Sequence, residues 1–517
     1  MKYRLLIRTV RHLKPIQIIY QVKNRIVKAR YVTLKPPKDV SIMFRFLQLK
    51  TKPIVKYHSL EGEKFTFLNL EHKFEGWNFT GNGMLWAYNQ NYFDWINQEE
   101  ASYDKFQVSD FEQWIDRFIS DVCGKEVVKC KMIGLDPYPI ALRSINWVKF
   151  FSKYPASATN VRLESLYSQV KFLERKLEYH LLGNHLLEDA CALFIAAVFF
   201  VDKRLYKKSA ILLKEQLKEQ ILDDGAHYEQ SPMYHCILLD RILDAINVVS
   251  SFGYQDSRLV EIKETTELLT AYAERMLGHL ESVMWKDGSI PLLNDAAYGI
   301  APTAKQIFDY AKRLGLSWKA IPMKECGYRK FFNEHMEAIV DIGNITAIYQ
   351  AGHTHADTFN YELRIDGKPF VVDTGISTYD KTPRRQYERG TSAHNCVVVN
   401  GGDSSEIWGG FRVGRRCYSN ITYSTKESIM AEHNGYKRSC RRLFEMKESS
   451  FIVEDWYDGR AVNYIHLVED ANMERILVEE AEETKIEENY YSTDYNILKK
   501  CKVMKITFNG HMKYTIR

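Results

Sequence analysis

Phe359-Asn360-Tyr361-Glu362-Leu363-Arg364-Ile365-Asp366-Gly367-Lys368-Pro369-Phe370-Val371-Val372-Asp373 alternates apolar and polar side chains up to Asp366-Gly367. Strand side chains alternate between two faces, and Asp-Gly is a strong two-residue turn signal, so this stretch predicts a β-hairpin. The period of two starts near Met336 and recurs at 396–399, 450–456, 462–468 and 503–508. Short alternating strands joined by turns predict a mostly antiparallel β-sandwich for residues 331–517.

Upstream of about residue 330 the apolar residues return at helical spacing instead. Leu163, Leu166, Val170, Leu173, Leu177 and Leu181 mark one face, and Tyr206, Ala210, Leu213, Leu217 and Ile221 a second, closed by Gly225. A third starts at Ser231-Pro232, a cap residue followed by proline at the first helical position, and runs through Ile237, Ile242, Ala245 and Val249 to Gly253. A fourth uses Leu259, Ile262, Leu269, Ala273, Met276 and Leu280. Long helices with short connections stack as antiparallel hairpins in a bundle, solenoid or toroid, here over residues 101–330. Residues 1–100 form an N-terminal region, helical and rich in aromatics, expected to pack on the helical domain. Its cluster from Leu85 to Trp95 serves either packing or carbohydrate binding.

The 517 residues supply about three domains' worth of chain, and 26% charged with 45% hydrophobic residues excludes disorder and collagen. A net charge of +5 is too small and too evenly spread to indicate nucleic acid. Nine scattered cysteines, at 123, 130, 191, 236, 326, 396, 417, 440 and 501, contain no CxxC pair, against a disulfide framework or a thiolate zinc site. The longest apolar run, 190–201, is too short for a bilayer and reads as a buried helix. The first thirty residues carry nine Lys/Arg and no acid, without the apolar core of a signal peptide. They read as a solvated helical lead-in or as a peripheral contact with anionic lipid. The expected location is the cytoplasm, or the periplasm if a leader precedes this chain.

Gly352-His353-Thr354-His355-Ala356-Asp357 places His353, His355 and Asp357 on one side of an extended segment. The pair suits metal ligation, or a base beside a metal ligand, or two satisfied histidines. Asp373 and His394 come back to His355 if neighbouring strands pair, and a His, Asp, His set suits zinc. Asn184-His185 follows a helix end, where either residue also serves as a cap. Tyr234 falls in the first turn behind Ser231, where the helix dipole favours a phenolate capable of proton transfer; as a lone feature it is more often a packed aromatic.

The ordered succession Asn184-His185, Glu229-Gln230-Ser231-Pro232-Met233-Tyr234-His235, Gly352 to Asp357, the run from Arg389 to Asn395, and Phe411-Arg412-Val413-Gly414-Arg415-Arg416 resembles the heparinase II/III family of polysaccharide lyases, over residues from about 85 to 470. The resemblance implies a multidomain α+β chain, an incomplete (α/α) toroid followed by an antiparallel β-sandwich. It also implies β-elimination at a uronic acid: Asn184 neutralises the carboxylate, Tyr234 is the acid and for one epimer also the base, and His353 is the other base or proton partner. His185 and Tyr228 are alternates to Asn184 and Tyr234 at the substrate. Arg389 and Arg412 are the arginines expected to read its acidic groups, among Arg384, Arg385, Arg415 and Arg416. His355, Asp373 and His394 match a structural divalent metal site, expected to hold zinc. The implied partner is an acidic polysaccharide. A uronyl 5-epimerase and a non-catalytic polysaccharide-binding protein are the alternative readings.

Overall fold

The computed structural model describes residues 2–27, 29–37, 49–55, 59–98, 107–124, 132–251 and 260–517. Leu259 and Cys130 lie outside them, as does the expected helix end at Gly253. The other eight cysteines are buried and unbridged.

The helical layer consists of Val108–Cys123, Pro137–Lys153, Asn160–Leu173, Gly183–Phe200, Lys203–Gln220, Pro232–Ser251, Val260–Val283 and Ala304–Leu314. At its centre is Gly183–Phe200, which packs against the helices beginning at Pro137, Asn160, Lys203 and Pro232. That position explains the long apolar run: every residue of this helix except His185 is buried. The Ser231-Pro232 start is observed as expected, with the Tyr234 backbone N–H donating to Ser231 Oγ at 3.2 Å. The first helix is shorter than its periodicity suggested. It stops at Leu173, and Leu177 and Leu181 belong to a run of turns in which the Glu178 N–H donates to Asp189 Oδ2.

In the second layer the predicted hairpin pairs Tyr361–Ile365 with Lys368–Val371, Ile365 opposite Lys368. Asp366 and Gly367 both have positive φ, 49° and 75°, the primed turn that matches strand twist. Residues 450–468, read as two strands, form one, Phe451–Val468, with a register shift between Tyr457 and Arg460. Its first half pairs with Cys440–Met446 and its second half with Val397–Val398 and Lys368–Val371, so this strand joins the two halves of the sandwich into one connected 12-stranded sheet. Tyr361 fills the space between the two halves of the sandwich: its ring packs on Phe444 and Phe451, and its hydroxyl meets that of Tyr514 at 2.9 Å. The acidic segment near residues 474–488 falls largely on exposed positions of Ile476–Glu479 and Glu483–Asp494.

Met336–Asp341 is buried along its whole length rather than on alternate residues. Ala338 and Val340 join the sandwich core, whereas Ile339 joins the core of the helical layer. The period of two survives, but both faces of this strand are covered because the helices pack on the sheet.

The N-terminal helices Lys2–Val10 and Pro15–Ile26 touch both layers. Arg8 pairs with Glu406, and Trp408 Nε1 donates to Thr9 Oγ1 at 3.0 Å on the sandwich side. On the helical side Gln17 Nε2 donates to the Leu181 carbonyl at 3.1 Å and Tyr20 packs on Tyr179. The aromatic cluster does two jobs. Trp86 and Trp95 are buried among Phe65, Phe67 and Trp114, while Tyr88 and Tyr92 reach the space between the layers.

Candidate active site

That space is a cleft of about 890 Å³ walled by the helical layer, the sandwich and the N-terminal helices. Asn184, His185, Tyr234, His353 and Arg412 all line it.

Asn184 sits in the first turn of the buried central helix. Gly183 before it has φ +61°, and a Cβ there would stand 2.4 Å from Glu229 Oε1, so only glycine lets Glu229 approach. Glu229 then accepts from the Asn184 backbone N–H and from its Nδ2, both at 2.8 Å. The same Nδ2 lies 3.3 Å from His353 Nε2. Asn184 Oδ1 is buried with no hydrogen-bond partner among the described residues.

His353 is anchored from behind. Its Nδ1 lies 2.8 Å from Asp295 Oδ2, so the proton belongs on Nδ1 and the lone pair on Nε2, the atom facing Asn184. Asp295 accepts at the same time from His355 Nε2 at 2.8 Å and from both terminal nitrogens of Arg385 at 2.5 and 2.7 Å. Burial alone would raise its pKa, but Arg385 and the two imidazoles overcome that and hold the carboxyl well below its usual range. A charged Asp295 thus fixes the tautomer and orientation of His353.

Tyr234 lies against the other side of His353, ring centroids 4.0 Å apart, and its hydroxyl is 3.2 Å from that of Tyr379. It occupies the expected first helical turn. Its phenol is not acidified there: burial outweighs the dipole and raises its pKa well above the usual value, so Tyr234 holds its proton. His185 also faces the cleft, with Nδ1 3.0 Å from Glu178 Oε2; burial pulls its pKa down, but Glu178 prevails and the net shift is upward.

Two expected substrate contacts do not line the cleft. The Tyr228 hydroxyl accepts from Tyr349 at 3.0 Å, and its ring is buried. Arg389 is 1% exposed and spends Nε and Nη2 on the Thr354 carbonyl, bracing the segment that carries His353 and His355. Arg412 stacks on Trp408 at the cleft wall. Glu229 and Asp295 are absent from the sequence-based candidates, and Arg385 stands there only among the arginines that could read the substrate's acidic groups. Glu229 stood inside a motif already singled out. Asp295 lies in Leu293-Asn294-Asp295-Ala296, which has no catalytic signature, and only its partners 58 and 60 residues away reveal it.

Behind the cleft, His394 Nδ1 lies 2.7 Å from Asp373 Oδ2, and the His355 and His394 rings are 5.2 Å apart. His355 Nδ1, His394 Nε2 and Asp357 Oδ2 are all buried with no hydrogen-bond partner among the described residues. Two free imidazole nitrogens and a free carboxylate oxygen are zinc-type donors, but these atoms do not all lie within 4.8 Å of one another, and the expected ligand Asp373 has both oxygens engaged, by His394, Asn360 and the Gly375 N–H. Among the described residues the set whose donor atoms do lie within 4.8 Å of one another is Asp224, His279 and Cys326; it joins the turn after Lys203–Gln220 to Val260–Val283 and to the segment entering the sandwich.

The chain matches the family models described as heparinase II/III N-terminus over residues 139–313 and heparinase II/III-like, C-terminal, over 316–516. It is 21% identical over 310 residues to a heparin-sulfate lyase of Bacteroides stercoris, covering 56% of this chain and 46% of that protein. It is 24% identical over 268 residues to a heparin-sulfate lyase of Pedobacter heparinus, covering 46% of this chain and 39% of that protein. The match spans less than half the length of either relative. In structure it resembles a heparinase III (TM-score 0.62, 14% identity, 97% of this chain and 88% of that one) and a heparan sulfate lyase from Pedobacter heparinus (TM-score 0.55, 15% identity, 97% and 87%). These likenesses show the fold, a toroid followed by a sandwich.

Proposed function

Because the chain belongs to the heparinase II/III family, we propose that it is a lyase that breaks a uronic-acid-containing acidic polysaccharide by β-elimination. The reaction sets three tasks: keep the substrate carboxyl neutral, remove the weakly acidic proton on carbon 5, and protonate the oxygen leaving carbon 4. Asn184 takes the first, its unpartnered Oδ1 accepting the O–H of a carboxyl in its acid form. The Glu229 carboxylate behind it disfavours a second negative charge nearby. His353 Nε2 takes the proton from carbon 5, with Asp295 stabilising the imidazolium that forms. Tyr234, which burial keeps protonated, gives its proton to the leaving oxygen. A divalent metal, zinc by donor type, that draws together the free donors of His355, His394 and Asp357 would supply positive charge that stiffens the cleft floor.

The observation that carries this reading is the convergence of the Asn184 amide, His353 Nε2 and the Tyr234 phenol in one cleft. The test is incubation with heparan sulfate, hyaluronan, alginate and capsular polysaccharides while following ultraviolet absorbance of an unsaturated uronate. Absorbance that falls about 10²- to 10⁴-fold in Tyr234→Phe is the expected result. Solvent deuterium entering carbon 5 without cleavage would instead identify an epimerase. Folded protein inert on every uronate polymer would count against both.

A further inference from the structure

Arg416 is 6% exposed and lines the cleft where the N-terminal turn meets the sandwich loop. Other buried guanidinium groups have partners: Arg385 holds Asp295, Arg442 holds Asp455, and Arg143 donates to Gln169 and two carbonyls. Arg416 differs, since neither Nε nor Nη1 has a hydrogen-bond partner among the described residues. The acids that adjoin the neighbouring Arg415 are already engaged. Glu406 pairs with Arg8 and accepts from the Arg415 N–H, and Asp403 Oδ1 accepts from the Thr391 N–H.

One neighbour adds positive charge. Arg11, at the end of the first N-terminal helix, acts electrostatically on Arg416 and donates from Nε to His12 Nε2 at 3.3 Å, while burial, Arg416 and Arg11 push the His12 pKa down and keep it a neutral imidazole. His12 and Arg412 line the same cleft. Burial, opposed by Tyr418 and reinforced by Arg11, pulls the Arg416 pKa down to about 10, which still leaves it charged at neutral pH. A buried, unpartnered cation beside a like charge is costly in the empty protein and is relieved by an anion. Guanidinium geometry suits the oxygens of carboxylate or sulfate.

We propose that Arg416, with Arg11 and His12 beside it, is a second acidic-group site on the cleft wall, which takes a carboxylate or sulfate on a sugar other than the one being cleaved. The assignment of the anion to the polysaccharide rests on the lyase reading; the anion site itself does not. Two N-terminal residues are built into it, so the helices that bridge the two layers also take part in choosing the substrate.

The test compares wild type, Arg416→Met and Tyr234→Phe by thermal unfolding, in sodium chloride and in sodium sulfate of equal ionic strength. Sulfate raises Tm of wild type and Tyr234→Phe more than that of Arg416→Met, which keeps only the general stabilisation sulfate gives any folded protein, and without sulfate Arg416→Met is at least as stable as wild type. Equal sulfate shifts in all three proteins, or a variant destabilised without sulfate, would overturn the site. On a polymer that is turned over, Arg416→Met raises KM about tenfold, the value of one lost charge-assisted contact, with kcat unchanged. A sulfate response with unaltered KM would assign the site to a free anion and remove the polysaccharide from the proposal. Because the thermal arm needs no turnover, failure of the lyase reading leaves it decisive.

Discussion

Asp295 and Glu188 are both carboxylates with no exposed surface, and each faces an arginine, yet they end in opposite states. Asp295 meets Arg385 end-on through two hydrogen bonds and takes two imidazoles as well, which holds it ionised. Glu188 faces Arg241 at 3.5 Å, and that guanidinium also serves Asp240 and Asp244 at 3.2 Å each. Neither oxygen of Glu188 has a hydrogen-bond partner among the described residues, and burial pushes its pKa up to about 7. The desolvation is alike in the two places. Hydrogen-bond geometry separates a fixed charge that organises a site from a carboxyl that titrates near neutrality.

The largest effect is expected from Asp295→Asn, which strands Arg385 in the interior. It should cost about 3–5 kcal/mol in denaturant unfolding and abolish turnover; a loss under about 1 kcal/mol would mean that Arg385 finds water or another partner. His353→Gln should leave the unfolding midpoint near wild type while lowering kcat about 10²- to 10⁴-fold. Equal losses of stability and turnover would show that His353 is a structural member of the Asp295 cluster.

The pH dependence sharpens the contrast, because the two groups have opposite signs. Glu188 is raised, so the folded state binds the extra proton, and stability from this group falls by about 3 kcal/mol as pH rises from the ordinary glutamate value to about 7. Asp295 is depressed, so its contribution is present above the ordinary aspartate value and is lost as pH falls through the folded one. Glu188→Gln should therefore remove only the slope below neutrality, read from unfolding free energies across pH. The smallest effect belongs to Ser231→Ala, a lost helix cap worth about 1 kcal/mol. Ser231 Oγ also donates to the Asp295 carbonyl at 2.6 Å, so a small drop in kcat should accompany it, with no change in the Glu188 slope.

The hairpin at Asp366-Gly367 and the helix start at Ser231-Pro232 were legible because their signals lie within a few residues of each other. The helix end at Leu173 was not, because Leu177 and Leu181 keep helical spacing while the chain turns to bring Glu178 to Asp189. Arg385 and Arg389 stand one helical turn apart in the same arginine-rich stretch, and nothing local says that one meets Asp295 and the other a carbonyl. The state of Tyr234 turned the other way from its local signal, since a dipole acts weakly at one helix end whereas partial burial strips away much of the phenolate's solvation.

Residue order alone determined where the helical part gives way to strands, which helix is buried all round, and that Asn184, Tyr234 and His353 are candidates for one chemistry. Those are properties of periodicity and of motifs in succession. Only the tertiary structure decided that Glu229 stands behind Asn184, that Asp295 ties His353 to Arg385, and that Arg416 rather than Arg389 meets the cleft. The reason is physical. Charge state and reach depend on what surrounds a side chain, and these surroundings are assembled from segments tens to hundreds of residues apart.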